Sequence, residues 1–108
     1  MEVPYKEYGS TIEAVRGCVG SARELGKREI MFKKNGEFGL VFYDGEQSHH
    51  FDGEKYIPMM SRIRILARMP LSRNVPSSGG RISDSSLGEW VVSSRFVDGK
   101  EEMILESV

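Results

Sequence analysis

Four Asn/Asp-Gly dipeptides punctuate this chain, at Asn35-Gly36, Asp44-Gly45, Asp52-Gly53 and Asp98-Gly99. Such pairs accept positive φ at little cost, which is what a two-residue hairpin turn demands. The first three follow one another so closely that each interval holds one strand, with no room for the crossover helix that parallel pairing needs. The chain therefore reads as an antiparallel meander. Glu29–Lys34 and Glu37–Tyr43 flank the first turn, a short segment around His49–Phe51 lies between the second and third, and Trp90–Val97 and Glu101–Glu106 flank the last.

Side-chain alternation agrees. Phe38, Leu40 and Phe42 fall on one face of their strand, and Gly39, Val41 and Tyr43 on the other. The same period appears in Arg62–Met69, where Ile63, Ile65, Ala67 and Met69 oppose Arg62, Arg64, Leu66 and Arg68, so this segment too is read as a strand.

Ser10 to Gly26 is the one helix the pattern predicts. Ser10 and Glu13 form an S-x-x-E capping box, and Ile12, Val15, Val19 and Ala22 recur at helical spacing, with Leu25 close to the same side. Gly17 and Gly20 each weaken it by roughly 1 kcal/mol relative to alanine unless something packs closely there. Pro70–Glu89, rich in serine, glycine and proline, reads as a long loop, and loops of that length are usually functional or disordered. The expected architecture is α+β: a single domain, residues 1–108, with one N-terminal helix on an antiparallel meander sheet of about five or six strands and a long loop near 70–89. One helix covers one face of the sheet and leaves the other to solvent or a partner.

Charge is unevenly spread. Lys55–Ser83 carries no acidic residue and a charge of +6, leaving −7 on the remainder and −1 overall. Arg62, Arg64 and Arg68 would share one strand face, with Arg73 and Arg81 on the adjoining loop. Guanidinium groups gathered this way attract planar anionic groups. The predicted function is a small non-catalytic interaction module, an inhibitor, adaptor or immunity-type protein, that binds another protein with an acidic surface through these five arginines. Nucleic acid is the alternative partner for the same basic surface; a pI near 6.1 and the lack of any RNP-like, zinc-finger or helix-turn-helix pattern count against it. A homodimer formed through the free edge of Glu101–Glu106 is a further possibility.

Chemistry is faintly signalled. Cys18 is the one cysteine, which precludes an internal disulfide and reads as a small buried side chain. His49 and His50 are neighbours on an extended segment and point to opposite faces, so they do not share a metal. Ser48, His49 and Asp52 are triad ingredients without triad geometry, and Asp52 is read as the start of an Asp-Gly turn. No phosphate-cradling or dinucleotide-binding glycine pattern occurs. No catalytic residue, metal or cofactor is expected. Met31, Met59, Met60, Met69 and Met103 are read as core filler. No apolar run approaches the ~18 residues that cross a bilayer. MEVPYKEYGS lacks the basic-then-apolar signature of a secretory signal, so a cytoplasmic location is expected.

Overall fold

In the computed structural model, which describes residues 3–71 and 77–108, the chain runs helix, three strands, helix, three strands. The elements are α1 (Thr11–Glu24), β1 (Glu29–Asn35), β2 (Phe38–Tyr43), β3 (Glu46–Asp52), α2 (Tyr56–Leu66), β4 (Ser77–Asp84), β5 (Gly88–Val97) and β6 (Lys100–Ser107). The strands form one antiparallel sheet in the order β3-β2-β1-β6-β5-β4. The fold is the α+β architecture expected, with a second helix added.

α1 begins where its cap is. The Ser10 hydroxyl accepts the Glu13 amide at 3.1 Å, and Ala14, Val15, Cys18, Val19 and Ala22 make the buried stripe. Ile12 and Leu25, expected on that stripe, are exposed because they lie at its margin and beyond the helix end. Gly17 has a packing reason: a Cβ there would stand 3.0 Å from the Tyr8 ring.

Two of the four turn dipeptides close hairpins as expected. Asp44 and Gly45 (φ 49° and 85°), and Asp98 and Gly99 (φ 52° and 77°), both take the left-handed region twice over. Asn35 instead belongs to β1 and pairs with Phe38, so the turn is Gly36-Glu37. Asp52-Gly53 closes no hairpin. The Asp52 carboxylate accepts the Glu54 amide at 3.0 Å and starts a 3-10 turn, Gly53–Lys55, that runs into α2.

Arg62–Met69 is therefore not a strand; its first five residues complete α2. The period of two holds within that window, but burial follows Tyr56, Met59, Met60, Ile63 and Arg64, a helical stripe that begins upstream of it. Pro58 is tolerated because it sits in the first turn, where its missing N–H has no intrahelical partner to lose. Pro70–Glu89 is likewise not one long loop, since β4 pairs with β5 from Ser77↔Arg95 to Asp84↔Gly88. Gly80 lets β4 pass under the end of α2, where a Cβ would stand 2.3 Å from the Ala67 carbonyl oxygen.

Both helices cover one face of the sheet. Ile30, Phe32, Val41, Phe51, Trp90, Val92, Met103 and Leu105 point into the core they share with Val19, Met59, Met60 and Ile63. Met31, by contrast with the other four methionines named above, lies on the uncovered face, beside Phe42 on β2 and Ile104 on β6. The C-terminal strand β6 lies inside the sheet, between β1 and β5, so it offers no edge to a second copy; the outermost strands are β3 and β4. On β3, His50 exchanges backbone hydrogen bonds with Pro4 (2.9 Å) and Lys6 (2.8 Å). No helix among the described residues is long and apolar enough to cross a membrane.

Candidate functional site

The helical course of α2 redistributes the arginines. Arg62 stays on the outer side of the helix with Ile57, Ser61 and Ile65, and the two isoleucines are 47% and 53% exposed. Arg68 follows the helix end at φ 57°, a position glycine usually takes, and is exposed. The Met69 amide reaches back to the Arg64 carbonyl at 2.8 Å, which closes the last turn. A non-glycine residue held there costs about 1 kcal/mol. Leu71, three residues after Arg68, adds a third exposed aliphatic side chain.

Arg64 points the other way, into the protein, and is 2% exposed. One guanidinium nitrogen, Nη2, donates to the Glu101 carboxylate and to the Ser94 hydroxyl, the latter at 2.9 Å. Nη1 donates to the Pro70 carbonyl at 2.8 Å and the Ser78 hydroxyl at 3.1 Å. The Ser94 hydroxyl donates in turn to Glu101 at 2.7 Å. Glu101 and Glu102 face opposite sides of β6: Glu101 meets Arg64, whereas Glu102 takes Arg95 at 3.0 Å and Lys33 at 3.7 Å on the uncovered face.

Arg81 lies beyond the helix surface as well. Its neighbour Ile82 is the core-facing residue of β4, and the Arg81 guanidinium sits 3.5 Å from the Glu89 carboxylate. Arg73 lies outside the described residues. Among the described residues, the expected arginines therefore share no strand face. What the fold leaves in its place is a helix face bearing Ile57, Ile65 and Arg62, with Arg68 at its end and no carboxylate on α2 at all. Sequence reasoning missed Ile57 and Ile65 because a strand reading turns Ile65 inward; the signal that finds them is the Tyr56, Met59, Met60, Ile63 stripe.

A second constellation is assembled only by tertiary structure. His49 points from β3 into the core, with Nε2 2.7 Å from the Tyr8 hydroxyl and 3.6 Å from the Cys18 thiol; its Nδ1 is 3.0 Å from the Ser48 hydroxyl. Burial lowers the His49 pKa to about 4, with smaller contributions from Lys6 and His50. Burial also pushes the Cys18 thiol up to about 11, against an opposing hydrogen bond from Tyr8. The Tyr8 and Tyr43 hydroxyls are raised well above the ordinary tyrosine range, again mainly by burial. At neutral pH the cluster is a neutral imidazole beside a protonated thiol. Such a thiol is a weak nucleophile, and the arrangement fits a hydrogen-bonded piece of core. Cys18 and His49 are far apart in sequence, which is why no pairing could be read there.

His50 points to the opposite face from His49, as alternation requires, and packs against Tyr5 and Phe38 with ring centroids 5.4 and 5.0 Å away. Among the described residues, no three His, Cys, Asp or Glu side chains gather as metal ligands. The chain matches no family model and no curated protein.

Proposed function

We propose that this protein is a non-catalytic interaction module, of the inhibitor, adaptor or immunity type, that holds an acidic protein partner against the outer face of α2. The observation that carries the reading is the pair Ile57 and Ile65, half-exposed on one side of a helix that has Arg62 beside them, Arg68 at its end and no acidic residue. Single exposed aliphatic side chains are ordinary. Two on one helix face, with cations at the margin, match the way an apolar and acidic segment packs on a helix. The isoleucines supply buried area, while the arginines set orientation and encounter rate. Arg64 is not part of the proposed surface, because its charge is engaged by Glu101. A cytoplasmic setting suits a chain whose one thiol is unpaired.

The test starts with capture of a partner from the native host, with and without nuclease, and continues with affinities of variants for that partner. Ile57→Glu with Ile65→Glu is expected to weaken binding by about a hundredfold or more, and Arg62→Gln with Arg68→Gln by roughly tenfold, with a flatter salt response. Unchanged affinity in both pairs overturns the reading. Capture that disappears with nuclease, together with steep salt dependence on generic DNA or RNA, assigns the surface to nucleic acid instead.

A further inference from the structure

We infer a separate binding site for a compact organic anion, an aromatic body with a carboxylate or phosphate head, in the cavity between the start of α2 and the two turns β1–β2 and β5–β6. The cavity has a volume of about 300 Å³, the low end of what small-ligand sites use. Tyr56 and Glu101, both buried, form its base, and the more exposed Ile57, Phe96, Lys34 and Lys100 surround them.

The polar groups of the base are already engaged. The Tyr56 hydroxyl points its one proton at the carbonyls of Phe32 (2.9 Å) and Glu101 (2.7 Å), and the Glu101 carboxylate is neutralised by Arg64. Neither Tyr56 nor Glu101 thus offers a ligand a free donor, and an apolar ring is what suits this end. The surrounding lysines are the reverse. Lys33, the neighbour of Lys34 on β1, is paired with Glu102 across the sheet, whereas Lys34 and Lys100 pair with no carboxylate among the described residues. Two ammonium groups over an apolar cavity select a molecule that is hydrophobic at one end and anionic at the other. Ammonium groups act as point charges and accept carboxylate and phosphate alike.

The inference does not depend on a protein partner, although Ile57 borders both surfaces, and the test separates the two. The full chain, labelled with 15N, is titrated with phenyl phosphate, benzoate and, as the neutral control, benzyl alcohol. Amide shifts are expected to cluster at the β1–β2 turn, the start of α2 and the β5–β6 turn, with either anion binding at least about tenfold more tightly than the alcohol. The ratio between the anions assigns the preferred head group. Lys34→Gln with Lys100→Gln is expected to remove that advantage while leaving the urea unfolding curve and the weak alcohol binding unchanged. Arg62→Gln with Arg68→Gln is expected to leave anion binding as it was. Absent shifts, equal affinity for the alcohol, or anion binding that survives loss of both lysines overturns the site.

Discussion

His49 and Arg64 are both polar side chains with almost no exposed surface, and the fold handles them in opposite ways. His49 is kept neutral among Tyr8, Cys18 and Ser48, whereas Arg64 keeps its charge and meets Glu101. For His49 the folded pKa of about 4 lies below the ordinary 6.5, so the unfolded chain binds the proton more tightly. Its contribution to stability is therefore complete above pH 6.5 and is lost as pH falls toward 4. Urea unfolding is expected to show a loss of roughly 2–3 kcal/mol across that window, and His49→Phe is expected to flatten it. For Arg64 the expectation concerns asymmetry. Arg64→Met or Glu101→Gln alone leaves a buried polar group stranded and is expected to cost about 3–5 kcal/mol, while Arg64→Met combined with Glu101→Leu recovers most of it. The sequence places Arg64 among five similar arginines, and nothing local marks it as the interior one. Its partner comes from a strand at the other end of the chain, so only tertiary packing distinguishes it from Arg62.

At the scale of elements, the glycines separate local preference from packing. Gly20 has no atom within 4 Å of a Cβ position and lies mid-helix, so Gly20→Ala is expected to raise stability by about 0.5–1 kcal/mol in thermal unfolding. Gly39 is the contrary case on β2: a Cβ would come within 2.3 Å of the Phe51 ring, and Gly39→Ala is expected to cost roughly 1–3 kcal/mol. Elements whose signals are local were legible. The Ser10 cap, the turns at Asp44-Gly45 and Asp98-Gly99, and the strands beside them depend on residues within a few positions of each other. α2 was not legible as a helix, because Ile63 and Ile65 satisfy a strand period while Tyr56, Met59 and Met60, which decide the matter, precede the window. β4 was hidden by its own composition: serines and glycines mark a loop until Trp90 and Val92 on β5 and the underside of α2 give them a place.

For the whole molecule, the sheet order is what composition and pattern could not supply. Pairing of β1 with β6 puts the C-terminal strand in the middle and joins two three-stranded meanders into one surface with both helices on the same side. The segregation of charge in the sequence survives only in part, because Glu101 and Glu89 reach Arg64 and Arg81 from outside the acid-free stretch. That arrangement has a mechanical corollary. On its inner side α2 is bolted to the central strand twice, by Arg64 to Glu101 and by Tyr56 to the backbone of β1 and β6. Whatever grips the outside of this helix thereby gains leverage over the middle of the sheet. Amide hydrogen exchange along β6 is expected to slow when a partner is bound, several ångströms from any residue the partner touches, and to lose that response in the Arg64→Met, Glu101→Leu protein.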